Sequence, residues 1–177
     1  MSNNFFVFLL GLILIISCQD NLIRDKQKET IFYLIRHAEK DRSAPDNKDP
    51  ILTSEGIKRA NHWASYFDTI QLNSIYSTDY IRTKQTIFPV SELKQITPKI
   101  YSVDELDINQ FITSNQGKRV LISGHSNTTP TMVNKLIGES KYSDMLDSDN
   151  KSLYIVNIIN SKAEVEIRSV PLKNMNN

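Results

Sequence analysis

The chain has 177 residues, of which 40% are hydrophobic and 23% are charged, and this composition suits one globular domain with its own core. The formal net charge of +1 excludes a general basic field for nucleic acid. The low counts of glycine (5) and proline (6) exclude a fibrous or disordered chain. Any attraction for an anionic ligand must therefore come from a local cluster of arginines and histidines. No pattern in the sequence predicts an oligomeric state.

The N-terminal segment is predicted to direct export. Residues 5–16 form an apolar stretch that is too short to span a bilayer comfortably and is typical of a signal peptide. Residues 15–18 (Ile-Ile-Ser-Cys) resemble the lipobox of bacterial lipoproteins, and Cys18 is the only cysteine in the chain. We therefore predict a signal peptide over 1–17, lipid on Cys18 and a protein anchored extracytoplasmically in the bacterial cell envelope. The absence of a basic residue before the apolar stretch leaves a cytoplasmic protein as the alternative.

Residues 18–29 comprise Cys18 and a polar tether, and the folded domain is predicted over 30–177. Strands are predicted at about 31–36, 74–77, 99–101, 119–123, 152–159 and 164–170, and helices at about 53–67, 79–90, 108–114 and 128–137. The first helix begins with a hydroxyl cap and Glu55, and Pro89 lies near the end of the second. This order predicts an α/β fold, a three-layer sandwich with a mainly parallel central sheet.

Three short polar segments follow predicted strands. The first is Arg36-His37-Ala38-Glu39, the second is S-T-D-Y-I-R-T at 77–83, and the third is G-H-S-N at 124–127. In open α/β sheets, ligands bind at the carboxyl ends of the strands. One such segment alone would more often be a solvated turn. Three segments that each carry a side chain able to bind phosphate indicate an anion site. An arginine beside an imidazole supplies an anion clamp next to a nitrogen nucleophile.

Together these segments resemble the histidine phosphatase superfamily, also called the phosphoglycerate-mutase-like family, over about residues 31–138. The resemblance rests on R-H-A-E at 36–39, L-T-S-E-G at 52–56, S-T-D-Y-I-R-T-K-Q-T at 77–86 and G-H-S-N-T at 124–128. It implies a phosphoglycerate-mutase-like fold in which His37 is the phosphoryl-accepting nucleophile. It also implies that Arg36, Arg82 and His125 form the phosphate pocket.

The proposed chemistry assigns a task to each of these residues. His37 must present an unprotonated ring nitrogen to phosphorus, held by a hydrogen bond from its other nitrogen. Arg36 and Arg82 can each donate forked, charge-assisted bonds to phosphate oxygens, and His125, if protonated, adds a third donor. The product is a covalent phosphohistidine that water then hydrolyses, and this chemistry requires no cofactor.

The supporting residues have two possible roles each. Gln85 and Thr86 share a helical face with Arg82, so we expect them to pack against or orient it rather than touch substrate. Glu39 either orients the pocket or is solvated. Asn127 lies where the last helix begins, so it either helps bind an anion or acts as a plain N-cap.

The general acid that protonates the leaving oxygen is predicted from the segment after the third strand. Its candidates are Asp104, Glu105 and Asp107, although each could be an exposed loop charge. The phytase-like branch of the family carries an aspartate directly after the second histidine, whereas Ser126 stands there in this chain. Phosphohistidine or phosphoramidate substrates have better leaving groups and need an acid less.

No metal site is predicted. Asp144, Asp147 and Asp149 lie close in sequence but lack the central glycine and terminal glutamate of an EF-hand loop, so we predict a solvated acidic turn. The sequence contains no phosphate-binding Gly-rich loop, dinucleotide fingerprint or zinc-type set of cysteines and histidines.

The predicted function is hydrolysis of a phosphate monoester or phosphoramidate, with a phosphorylated small molecule or a phosphoprotein as substrate. Two alternatives remain: a phosphoglycerate-mutase-like phosphotransferase, and a lipoprotein that binds phosphorylated ligands without turnover. Residues 87–119 leave little chain for a lid that would exclude water, which favours hydrolysis over phosphoryl transfer.

Overall fold

The structure, a computed structural model, describes residues 29–172. The predicted signal peptide, Cys18 and the tether up to residue 28 lie outside the described residues. Six strands and four helices follow one another along the described chain in the predicted order: β1 Thr30–Arg36, α1 Ser54–Phe67, β2 Ser74–Ser77, α2 Ile81–Lys94, β3 Lys99–Ile100, α3 Ile108–Ser114, β4 Arg119–Gly124, α4 Thr128–Ile137, β5 Ser152–Ile159 and β6 Lys162–Ser169. Between residues 29 and 172, no helix is long and apolar enough to cross a membrane.

The strands form one mixed sheet in the order β3-β2-β4-β1-β5-β6. The first four strands of this order pair in parallel, whereas β5 pairs antiparallel with both β1 and β6. A two-residue turn joins β5 to β6, and both of its residues, Asn160 and Ser161, have positive φ angles of 51° and 63°. Such a turn matches the right-handed twist of a hairpin. The mainly parallel sheet is confirmed, with an antiparallel hairpin along one side.

The central strand β1 divides the hydrophobic core into two layers. Phe32 and Leu34 point to one face of the sheet, where they pack with side chains of α3 and α4. Tyr33 and Ile35 point to the other face and pack with side chains of α1 and α2. Because alternate residues of a strand face opposite sides, an uninterrupted apolar strand requires a helical layer on each side. The predicted three-layer sandwich is therefore confirmed.

Helix α2 extends further than the sequence indicated. It runs to Lys94, with Pro89 inside it, and ends at Gln95 in the left-handed conformation with φ of 54°. An interior proline removes one backbone hydrogen bond. The fully buried side chains of Ile87 and Val90 lie on either side of Pro89 and pack into the core, which offsets that loss. The start of the helix at Ile81 leaves Asp79 and Tyr80 in the preceding turn.

Candidate active site

The carboxyl ends of the parallel strands meet at one edge of the sheet, around a cavity of about 750 Å³. Arg36 and His37 come from the end of β1, Thr78 and Arg82 from the region after β2, and His125 from the end of β4. The four residues that the sequence predicted as the core of the pocket therefore line one cavity.

A cavity of about 830 Å³ elsewhere, lined by Thr30, Leu136 and Ile158 among others, has no titratable side chain in its wall.

His37 is held through both its backbone and its ring. Its N–H donates to the Gly124 carbonyl at 2.9 Å, and its carbonyl accepts from Asn150 Nδ2 at 2.8 Å. Ring atom Nδ1 lies 2.8 Å from the Ala38 carbonyl oxygen, which can only accept, so Nδ1 carries the proton and donates it. The lone pair then lies on Nε2. This is the arrangement that a nitrogen nucleophile requires.

The environment of His37 keeps it neutral. The side chain is 3% exposed, and burial lowers its pKa to about 3, with Arg36, His125 and Arg82 disfavouring the charged form further. The hydrogen bond to the Ala38 carbonyl opposes this shift but does not outweigh burial. His37 is therefore unprotonated at neutral pH.

His125 is fixed beside His37, with the two ring centroids 5.4 Å apart. Arg82 Nη2 lies 3.3 Å from His125 Nδ1 and can only donate, which places the histidine proton on Nε2, 3.0 Å from Thr78 Oγ1. Burial lowers the pKa of His125 to about 4, and Arg82, Arg36 and Lys40 contribute in the same direction. His125 is therefore neutral in this structure, whereas a protonated donor was expected.

Gly124 lets the loop that carries His125 pack closely. A Cβ atom at position 124 would lie 2.8 Å from Thr128 Oγ1 and 3.0 Å from Thr129 Oγ1. Thr128 Oγ1 accepts from the His125 N–H at 2.8 Å, so any displacement of Thr128 would disturb the histidine backbone. The glycine before the second histidine is therefore required by close approach of side chains.

Arg82 lies in the first turn of α2, with its guanidinium 4.4 Å from the centroid of the Tyr80 ring. Its Nη1 donates to Asp49 Oδ1 at 3.3 Å, and the same carboxylate accepts from the Ile81 N–H at 2.9 Å. Asp49 therefore caps α2 and anchors Arg82 at once. Both contacts aim the guanidinium at His125 and the cavity.

Arg36 is bound by the segment that joins α4 to β5. It is 2% exposed, and its Nη1 donates to the carbonyls of Leu146, Asp147 and Asp149 at 3.0, 2.8 and 3.3 Å. Its Nη2 donates to Asp147 Oδ1 at 2.8 Å. Asp147 Oδ2 pairs with Arg42 Nη2 at 2.7 Å. Asp147 is exposed, as expected of a solvated turn, but its carboxylate also lines the cavity and bridges two arginines.

The supporting residues act mainly through the backbone around His37. Thr86 Oγ1 donates to the Arg82 carbonyl at 2.7 Å and accepts from the Ala38 N–H at 2.8 Å, so Thr86 ties α2 to the loop after β1. Gln85 accepts from the Leu52 N–H at 2.8 Å, so it binds the loop before α1. Neither Gln85 nor Thr86 belongs to the cavity wall.

Glu39 is not part of the cavity wall. Its carboxylate pairs with Arg59 of α1 at 2.6 Å. This pair is largely buried, so Glu39 neither reaches the phosphate pocket nor is solvated. A side chain at Gly56 would collide with the Glu39 carbonyl, so the loop after His37 and the start of α1 are packed directly together. Glu39 therefore fixes the position of this loop.

Asn127 lies at the start of α4, lines the cavity and is exposed. Its side chain makes no capping hydrogen bond to the helix, so the plain N-cap role is not observed. Its amide remains accessible to a ligand at the first turn of α4.

The three candidate acids occupy different positions. Asp104 and Glu105 line the cavity and are exposed to solvent. Asp107 is not part of that wall: its Oδ1 accepts from the N–H groups of Asn109 and Gln110 at 3.0 and 3.1 Å and caps α3. The geometry leaves Asp104 and Glu105 as candidates and assigns Asp107 to the helix.

Sequence patterns did not indicate four further residues: Lys40, Asp49, Asp147 and Asn150. Lys40 lines the cavity, and burial together with Arg82 and Arg42 lowers its pKa. Its position one residue after R-H-A-E was the one signal that could have suggested it. Among residues 29–172, no group of three or more His, Cys, Asp and Glu side chains is arranged to hold a metal ion.

Residues 32–107 match the sequence profile of the Histidine phosphatase superfamily (branch 1). No curated protein gives a significant sequence match.

Solved structures share the fold. They include a mycobacterial glucosyl-3-phosphoglycerate phosphatase, with 10% identity and a TM-score of 0.63 over 81% of this chain and 100% of that chain. YhfR of Bacillus stearothermophilus gives 16% identity and 0.65 over 80% and 98%, respectively. The protein histidine phosphatase SixA in complex with tungstate gives 14% identity and 0.63 over 78% and 96%. At these identities the likeness establishes the fold.

Proposed function

Because this chain belongs to the histidine phosphatase superfamily, we propose that it hydrolyses a phosphate monoester or a phosphoramidate through a covalent phosphohistidine on His37. The observation that carries this proposal is the state of His37. Its Nδ1 proton is bonded to the Ala38 carbonyl, its pKa of about 3 keeps Nε2 unprotonated, and the side chain shares the cavity wall with Arg36 and Arg82. A buried neutral imidazole flanked by cations suits attack on an anionic phosphoryl group.

In the first step, the Nε2 lone pair forms a bond to phosphorus while the bond from phosphorus to the leaving oxygen or nitrogen breaks. The leaving atom takes a proton from Asp104, Glu105 or water. The Nδ1–H bond to the Ala38 carbonyl stabilises the positive charge that develops on the ring. Arg36 and Arg82 stabilise the charge on the phosphoryl oxygens.

In the second step, water attacks phosphorus, the bond between nitrogen and phosphorus breaks, and the electron pair returns to Nε2 of His37. The water loses its proton to a nearby base or to solvent, and inorganic phosphate leaves. A bound phosphate dianion would raise the pKa of His125, since it offsets the repulsion from Arg82 and Arg36. Protonation of His125 would then add a positive charge and a second N–H donor when substrate is present.

The substrate is proposed to be a phosphorylated small molecule or a phosphoprotein. The structural neighbours named above include one of each kind, a sugar-phosphoglycerate phosphatase and a protein histidine phosphatase. The exposed position of Asp104 and Glu105 in the cavity wall leaves room for a leaving group of either kind.

Release of inorganic phosphate from a generic aryl phosphate tests the proposal, with His37→Ala as the matched inactive variant. Hydrolysis by the wild type and not by the variant is the expected result. Activity that requires a phosphorylated primer would support the phosphotransferase instead. Binding of inorganic phosphate without turnover would support a phospho-ligand-binding protein.

We also propose that the protein is lipidated on Cys18 and held on the cell envelope membrane, on the basis of the lipobox-like residues 15–18. Full-length protein expressed in a bacterium should partition with membranes and incorporate labelled fatty acid. Cys18→Ser should lose the label, because a serine hydroxyl cannot form the thioether. An unlabelled wild-type protein in the cytosol would refute the anchoring and leave the phosphatase proposal unaffected.

A further inference from the structure

We infer that the Asp147 carboxylate acts as a brake on phosphate binding: its negative charge lies on Arg36 Nη2, beside the edge of Arg36 that a phosphoryl group would use, and a bound phosphate drives it toward Arg42. This inference rests on the proposed function, because it assumes that Arg36 receives the phosphoryl group. It begins with the contacts of Arg36.

Asp147 occupies one complete edge of the Arg36 guanidinium. Its backbone carbonyl accepts from Nη1 at 2.8 Å and its Oδ1 accepts from Nη2, also at 2.8 Å. This is the two-point grip by which an arginine binds a phosphate or a carboxylate. The remaining contacts of Nη1 go to the carbonyls of Leu146 and Asp149. Nε of Arg36 is buried without a hydrogen-bond partner, so the forked edge open to a phosphate is Nε with the second N–H of Nη2, directly beside the Asp147 carboxylate.

The charge of Asp147 opposes a phosphate even where their contacts do not overlap. The carboxylate lies in the wall of the same cavity, and its hydrogen bonds with Arg42 and Arg36 hold its pKa below the usual range. Asp147 is therefore ionised at neutral pH. Two anions within a few ångströms of each other repel by an amount that matters for binding.

The geometry also shows which partner can move. Arg36 is 2% exposed and fixed by three backbone carbonyls, whereas the Asp147 side chain is 69% exposed. Arg42, which binds the other carboxylate oxygen at 2.7 Å, is 56% exposed and can follow it. Displacement thus costs one partly buried contact and leaves Arg36 in place. Arg42 provides the carboxylate with a partner after it has left Arg36.

The test compares Asp147→Asn with Asp144→Asn. Both variants remove one negative charge from the same segment, but the exposed Asp144 side chain makes no hydrogen bond or ion pair within the described residues. The dissociation constant of inorganic phosphate is measured by calorimetry at pH 7.5, and its inhibition constant is measured during hydrolysis of an aryl phosphate. We expect Asp147→Asn to bind phosphate roughly tenfold more tightly and Asp144→Asn to behave like the wild type.

A second variant separates the brake from a positioning role. Arg42→Gln should weaken phosphate binding in the wild type, and should do so less in the Asp147→Asn background, where there is no carboxylate to receive. Unchanged or weaker phosphate binding in Asp147→Asn, with thermal unfolding intact, would overturn the inference while leaving the phosphatase proposal in place. If the wild type neither binds phosphate nor hydrolyses the aryl ester, the proposed function fails, and the brake with it.

Discussion

The two walls of the cavity are built in different ways. On one side, which we call the strand-end wall, His37, Arg82 and His125 follow the parallel strands; the His37 ring binds the carbonyl of the next residue, and Arg82 binds His125. On the other side, residues 145–150 bind through backbone groups: the Met145 N–H donates to the Ser126 carbonyl, and three carbonyls of the segment bind Arg36. The first wall supplies the reacting groups, and the second holds them in position.

We therefore expect substitutions in the strand-end wall to lower turnover with little loss of stability. Substitutions that disturb the contacts of the 145–150 segment should lower stability as well. The two effects can be separated by measuring turnover and unfolding on the same variants.

The largest effect is expected from His37→Ala. Removal of the phosphoryl acceptor should lower kcat by roughly 10⁴-fold or more, on the scale seen when other enzymes lose their nucleophile. Mixing wild-type protein with substrate and quenching in alkali should trap an acid-labile phosphoenzyme that the variant does not form. Near-normal turnover in His37→Ala would rule out the covalent mechanism.

The next largest effect should distinguish the two arginines. Arg36→Lys and Arg82→Lys should each lower kcat/KM by about 10²–10³-fold, because an ammonium cannot reproduce the forked contact. Arg36→Lys should also lower the free energy of unfolding by about 1–3 kcal/mol, since partly buried hydrogen bonds to carbonyls of the 146–149 segment are lost.

Denaturant unfolding and steady-state kinetics check this distinction, with the exposed Lys58→Arg as the matched control. Equal loss of stability in Arg36→Lys and Arg82→Lys would contradict the division of roles between the two walls.

A smaller effect concerns pH and stability. Because burial lowers the pKa of His37 from 6.5 to about 3, the unfolded chain binds more protons than the native protein between these values. Stability should therefore fall as the pH drops below 6.5, and by pH 5 His37 alone should account for about 2 kcal/mol. Urea unfolding at pH 7.5 and 5.0 should show a shallower decline in His37→Gln than in the wild type. An identical decline in both would show that His37 titrates normally.

The smallest effect is expected at Asp107. Asp107→Ala removes the cap of α3 and should lower the free energy of unfolding by about 1 kcal/mol, with kcat unchanged. Glu105→Gln and Asp104→Asn, on the cavity wall, should show the reverse if either residue is the acid. A loss of kcat in Asp107→Ala without loss of stability would return Asp107 to the list of acids.

The strand-end wall could be predicted from sequence because its signals are local. The apolar run of β1 ends directly at Arg36-His37, and the parallel order of the strands brings the ends of β1, β2 and β4 together. The hydroxyl cap of α1 at Thr53 and the length of that helix also follow from local residue preferences.

The opposite wall could not be predicted, because its contacts depend on tertiary packing. Arg36 and Asp147 lie 111 residues apart, and the contact is made partly by a backbone carbonyl, which no residue pattern reveals. Asp147 and Asp149 looked equivalent in the sequence. In the structure Asp149 instead bonds to Ser152 at the start of β5, and the difference arises from the path of the loop.

The two edge strands of the sheet limit β-pairing between copies of this domain. Strand β3 has two residues, so it offers a neighbouring molecule almost no free backbone to pair with. On β6, which is eight residues long, Lys162, Glu164, Glu166 and Arg168 alternate with apolar residues. A short strand on one side and a charged strand on the other are features that oppose edge-to-edge β-pairing and aggregation. Copies of the domain are therefore not expected to pair through their sheet edges.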